Sequence, residues 1–161
     1  PAACAAPRRP RPSVLLRQAT EASREEPEPP TPSRMPTRLR VTIERAFFLR
    51  NADWFDLSDP YCVLEVGGPQ RMTFRTKVVF DDLHPVWGEC YEFEYPGEGL
   101  SFLVYDKDWH KRDDFLGRVS LPRERFWPTG FKGQLVLQDT GKKDGQDAWL
   151  DIHIEPVLPA P

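Results

Sequence analysis

Cysteine is scarce in this chain, histidine is scarcer in useful contexts, and long apolar runs are missing. The three cysteines, Cys4, Cys62 and Cys90, are an odd number, too few for a disulfide framework and not spaced as metal-binding pairs. A reducing, intracellular setting is expected from that usage. The three histidines, His84, His110 and His153, lie in no nucleophile, glycine-loop or metal-ligand context. No apolar run approaches the ~20 residues needed to cross a bilayer. Charge is balanced, with 22 basic against 25 acidic residues, so net charge alone points to no polyanionic partner, and no nucleic-acid partner is expected. There is no N-x-S/T acceptor, no secretory signal and no internal repeat, which argues against an extracellular adhesion sandwich. The first residue is proline, and a fragment or processed form of something longer is expected.

What the chain does have is unevenly placed. Half of its 18 prolines fall in residues 1–36. That segment is rich in Pro, Ala, Arg and Glu, and it has too little apolar surface to offset the entropy of ordering it. It reads as a disordered tail or linker. "SVLLRQATEASREE" is a short helix candidate, and "PRRPRP" could engage a protein partner.

From Arg38 the apolar period becomes two. "RLRVTIERA" alternates Leu39, Val41 and Ile43 against charged neighbours, the pattern of a strand with one buried face. Seven further strands are expected at 61–66, 71–80, 89–95, 99–106, 114–122, 132–139 and 148–156, with turn-rich segments between them. The fold class is therefore all-β, an eight-stranded antiparallel sandwich over residues 37–157.

Two connections hold the chemistry. Asp53, Asp56 and Asp59 lie between the first and second strands, and Asp106, Asp108, Asp113 and Asp114 between the fifth and sixth. In an antiparallel sandwich both connections emerge at one end. Asp106 and Asp108, two apart, are expected to share a face. Like charges ~4 Å apart cost about 4 kcal/mol per pair at an effective dielectric near 20. A hard cation should fill the cup, and flexible oxygen-only loops suit Ca²⁺ better than Mg²⁺. Aspartates are also common in turns for local reasons, but both loops falling at one end argues for a site.

The stretches "DWFDLSDPYCVLEV", "TKVVFDDLHPVWGECYEFEY" and "LVYDKDWHKRDDFLGRVSLP" resemble the C2 domain, a calcium- and phospholipid-binding β-sandwich, over about residues 38–156. The family's SDPY stands at Ser58 to Tyr61, its N-P-x-W at His84 to Trp87, and its D-x-D-x5-D-F-x-G at Asp106 to Gly117. The resemblance implies five acidic calcium ligands, Asp53, Asp59, Asp106, Asp108 and Asp114, with backbone carbonyls at Ala52 and Lys107. Asp56 stands where the family usually has glycine; it could adopt a left-handed turn, though less readily than glycine, which leaves the shape of the first loop open. Lys111 stands where a hydroxyl assists a third ion, so two ions are expected. The position of the first acidic connection, after the first strand, fits the permuted type II topology.

Trp54 and Phe55 sit at the tip of the first acidic loop, and Trp109 and His110 at the tip of the second. Tryptophan favours the membrane–water interface. An electrostatic switch follows: aspartates repel an anionic bilayer until calcium neutralises them, and the rings then insert. Lys111 and Arg112 should add attraction. Arg71, Arg75 and Lys77 share a strand face that could meet lipid head groups, weakened by Glu92 and Glu94 on the fourth strand. The expected protein is a monomeric, non-catalytic module. It would be cytoplasmic and reversibly recruited to phosphatidylserine or phosphoinositide membranes. The alternative is a calcium-independent C2-like protein-interaction module.

Overall fold

The computed structural model describes residues 37–159, so the expected tail, its helix candidate and its "PRRPRP" lie outside the described residues. Eight strands follow one another: β1 (Arg38–Phe47), β2 (Pro60–Val66), β3 (Met72–Arg75), β4 (Val86–Glu94), β5 (Leu100–Asp106), β6 (Asp114–Leu121), β7 (Phe131–Val136) and β8 (Trp149–Val157). They form two antiparallel sheets, ordered β4-β1-β8-β7 and β3-β2-β5-β6. The last strand lies beside the first, and the first acidic connection follows β1, as expected.

Alternation builds the core. Leu39, Val41 and Ile43 of β1, with Ile152 and Ile154 beside them on β8, share one core with Leu64 of β2 and Phe102 and Val104 of β5 in the other sheet. All are essentially inaccessible to water, and burying each such side chain contributes about 1.5–3 kcal/mol. A strict alternation would next put Arg45 inside. Instead the pairing shifts between Ile43 and Arg45, so Ala46 takes the buried position and Arg45 stays out, near Asp151. One extra residue in a strand re-aims every side chain after it.

A second shift lies between β5 and β6, where Val104 pairs Gly117 and Tyr105 pairs Phe115. Gly117 has φ 146°, and a Cβ there would stand 3.0 Å from Thr140 and 3.2 Å from the Gln138 carbonyl. The connection 137–148 crosses at that point, pairing Gln138 with Arg118, and only glycine lets the two backbones approach.

The third strand is shorter than expected. It ends at Arg75, and residues 76–85 are an irregular connection. The N–H groups of Thr76, Val79 and Asp82 donate to the carbonyls of Cys62, Pro60 and Ser58. Donors three apart meet acceptors two apart, so the chain still follows β2 but gains a residue per step and loses its alternation. Thr76 completes the change from the side: its buried hydroxyl accepts from the Cys62 N–H and donates to the Lys77 carbonyl.

Antiparallel pairing puts connections 48–59, 76–85, 107–113 and 137–148 at one end of the sandwich. The two acidic connections share that end, as expected, with two others.

Candidate functional site: an acidic cup ringed by aromatics

The first acidic connection is held from within. Ser58, fully buried, accepts from the Ala52 N–H and donates to the Arg50 carbonyl. Asn51 accepts from the Asp53 N–H and donates to the Asp56 carbonyl. These bonds close the loop without a left-handed residue at Asp56. Among the described residues, the non-glycines with positive φ are Phe48, Asp81 and Asp139. Asp56 does not take the left-handed conformation open to it, and Asn51 and Ser58 hold the loop instead.

The second acidic connection is organised by Asp113, which was not expected to have a role. Its carboxylate accepts from Tyr61 Oη at 2.5 Å, Lys107 Nζ at 2.9 Å and the Asp108 N–H at 3.1 Å. Burial would raise its pKa, but these three donors outweigh burial and hold the carboxyl below the usual range. The same contact and burial push the Tyr61 hydroxyl up to about 12, burial being the larger cause. Loops one and two are joined where the Asp59 N–H donates to Asp106 Oδ1 at 2.6 Å and the Lys107 N–H donates to the Asp59 carbonyl at 2.9 Å.

Asp106 ends β5 on the inward side, in line with Leu100, Phe102 and Val104, and is 0% exposed. Its cross-strand partner is Asp114. Like charges directly opposite each other on a sheet are destabilising. Burial is the main cause raising the Asp106 carboxyl above its ordinary range. The Ser58 hydroxyl and the Asp59 N–H oppose it, and the charge of Asp108 adds to it. Asp53 is raised in the same way, by burial first and then by the charges of Asp106 and Asp108. Asp59 leans toward the 76–85 connection, where its Oδ1 accepts from the Asp81 N–H at 2.8 Å.

Asp106 Oδ2 and Asp108 Oδ2 are buried without a hydrogen bond. A buried carboxylate oxygen left in that state costs several kcal/mol unless a cation satisfies it. The donors are all hard oxygens, which suits Ca²⁺. Among the described residues no three acidic, histidine or cysteine side chains stand close enough to hold a metal ion as arranged. Lys111 turns into the cup rather than outward, with its Nζ 2.8 Å from Asp114 Oδ2 and 3.5 Å from Asp108 Oδ2. The hydrogen bond to Asp114 is the main cause holding its ammonium above the ordinary lysine range.

Around the cup stand bare rings. Trp54 is 96% exposed and Phe55 99%, so neither folds back onto the sandwich. Trp109 is exposed, with Lys107 Nζ 5.6 Å from its ring centroid, and His110 and Arg112 are exposed beside it. Phe80, in connection 76–85, is 61% exposed and was missed by the sequence reading. Its stretch reads as the end of the strand expected over 71–80. The signal was the apolar triplet "VVF" running into "DD", which breaks a strict alternation.

Arg71, Arg75 and Lys77 are exposed as expected. Arg75 lies over the Tyr61 ring at 3.9 Å. The acidic residues expected to weaken this face do not reach it. β4 belongs to the other sheet, and Glu92 pairs there with Arg38 and Arg40 of β1.

The family model described as C2 domain matches residues 37–141. Extended synaptotagmin-1 of Mus musculus is 38% identical over 108 residues, covering 65% of this chain and 9% of that longer protein. The solved C2A domain of plant extended synaptotagmin 1 superposes with a TM-score of 0.66 at 23% identity, over 77% of this chain and 98% of that one, which speaks to fold. The calcium-bound C2A and C2B domains of extended synaptotagmin 2 give a TM-score of 0.61 at 26% identity, over 76% of this chain and 46% of that one. No helix among the described residues is long and apolar enough to cross a membrane. On the family match, which covers well over half its length, this chain belongs to the C2 domain family.

Proposed function

We propose that this domain binds anionic phospholipid membranes when calcium is present, through the end that holds the acidic cup. The observation carrying the reading is Asp106 Oδ2, buried with neither a hydrogen bond nor a cation, together with Asp108 Oδ2, which lacks a hydrogen bond and meets only Lys111 at 3.5 Å, at the end of the sandwich that also carries the exposed rings of Trp54 and Phe55. Asp53, Asp59, Asp106, Asp108 and Asp114 would hold two calcium ions, with the backbone carbonyls of Ala52 and Lys107. Bound calcium supplies about +4 of charge to the cup and open coordination positions that lipid phosphate oxygens can fill.

The chain's own residues do the rest. Asp113, anchored by Tyr61, holds the second loop without drawing on any of these five carboxylates. Without an ion the aspartates repel an anionic surface. With their charge offset, Trp54, Phe55, Phe80 and Trp109 enter the interface, each contributing on the order of 2 kcal/mol. Arg112, and the exposed face of Arg71, Arg75 and Lys77, add attraction to anionic head groups, about 1 kcal/mol per basic residue near the surface. The domain acts as a cytoplasmic, monomeric and reversibly recruited targeting module of a longer protein, not as a catalyst.

Co-sedimentation of the chain with phosphatidylserine vesicles tests this. Pelleting in calcium but not in EGTA, abolished by Asp108→Asn, is the expected result. Equal pelleting in both conditions would move the contact to the basic strand face. No pelleting in either would favour the calcium-independent protein-interaction module.

A further inference from the structure

The cations at the cup end have different engagements. Lys107 is held by Asp113. Arg50 donates to the carbonyls of Thr140 and Phe115, and Lys142 donates to that of Phe48. Lys111 alone among the described basic residues contacts two carboxylates of the proposed ion site, Asp114 at 2.8 Å and Asp108 at 3.5 Å. It stands three residues after one and three before the other, so its short tether lets the ammonium reach both. The loop does not depend on it for shape, because Asp113 closes the turn through Lys107, Tyr61 and the Asp108 N–H. Deeper in the cup, Asp106 is fully buried and its Oδ2 has no partner.

We propose that Lys111 is a tethered counter-ion that occupies the outer half of the acidic cup and is exchanged for calcium. The inference rests on the calcium-binding reading above and adds the regulation of that site. A side-chain ammonium and a divalent cation compete for the same oxygens, since neither Asp108 nor Asp114 can serve both at full strength. Lys111 therefore lowers the domain's affinity for calcium and offsets part of the cup's self-repulsion when calcium is scarce. Its exchange frees a basic side chain on the face that carries the aromatic rings, where lipid phosphate would receive it. One residue thus sets the calcium threshold and couples ion binding to a new positive charge at the membrane surface.

The test is calorimetric titration of calcium, without vesicles, into the wild-type chain, Lys111→Met and Arg112→Met. The two variants lose the same charge one residue apart, and only Lys111 is paired to the cup. Calcium affinity should rise about three- to tenfold in Lys111→Met and by less than half of that factor in Arg112→Met. In EGTA, Lys111→Met should also melt at a lower temperature than Arg112→Met, because its cup repulsion is unrelieved. Calcium binding by Lys111→Met alone, with the wild type silent, would support the exchange in its extreme form. Equal affinities in the two variants, with calcium bound by all three proteins, would overturn the proposal and leave the calcium-binding reading standing. No binding by any of them would overturn both.

Discussion

The Asp59 N–H donates to Asp106 Oδ1 at 2.6 Å, tying the start of β2 to the end of β5. That bond leaves the other Asp106 oxygen, Oδ2, buried and unbonded. The two oxygens of one carboxylate thus differ: Oδ1 ties the loops to each other, and on the calcium-binding reading Oδ2 is the one that would meet a cation.

Asp106→Asn separates these roles, because an amide oxygen can still accept from Asp59. Burial raises the Asp106 carboxyl above its ordinary 3.8. Such a group favours the folded state fully below its unfolded value, and the contribution is lost as pH rises through the folded value. In EGTA, the stability of Asp106→Asn relative to wild type should therefore increase from pH 4 to pH 7. Thermal melts across that range check it, and a pH-independent difference would contradict the assignment. The same variant should lose stabilisation by calcium at every pH.

Tyr61→Phe removes one of the three donors to Asp113. The Asp113 carboxyl lies below its ordinary range in the fold, so its contribution is present above the unfolded value and lost as pH falls through the folded one. The variant should cost about 1–2 kcal/mol at neutral pH. The cost should shrink in acid, as Asp113 takes up its proton and loses the advantage of its donors. Urea melts at pH 7 and pH 3 distinguish this from simple loss of packing, which would cost the same at both.

Trp54→Ala and Phe55→Ala should leave stability within about 0.5 kcal/mol, since both rings are almost fully exposed. Each should weaken calcium-dependent partition onto phosphatidylserine vesicles by roughly 30-fold, the equivalent of about 2 kcal/mol. A drop in melting temperature with unchanged partition would mean that the rings pack in solution and do not enter the interface.

Phe80→Ala extends the same measurement to connection 76–85. A weaker effect is expected, about threefold to tenfold in partition, because this ring is already partly covered. Partition equal to wild type would restrict insertion to the two acidic loops.

Most of the sandwich was legible in the chain because period-two alternation survives wherever a strand has one dry face. Leu39, Val41 and Ile43 announce β1, and Leu100, Phe102 and Val104 announce β5. Alternation fails where the backbone gains a residue. "RMTFRTKVVF" reads as one long strand, yet the Thr76 side chain bonds backbone groups of Cys62 and Lys77 and the pairing slips from there on. That slip lifts Phe80 into solvent, so its exposure could not be read from spacing. The assignment of β3 and β4 to different sheets was equally hidden, because pairing partners are a property of topology. Hence Glu92 was set against a basic face that it does not touch. At the acidic end, residue identity located the aspartates. It did not reveal which way Lys111 turns, since a lysine beside aspartates can face lipid or face them with the same sequence.

The most direct test of the account is quenching of tryptophan fluorescence by brominated phosphatidylserine vesicles, with calcium and with EGTA. Quenching should appear on adding calcium, reverse with EGTA, and fall sharply in Trp54→Phe while the fold is retained. Binding to the vesicles without quenching, or quenching that ignores calcium, would contradict the claim that this end enters the membrane when its carboxylates are neutralised.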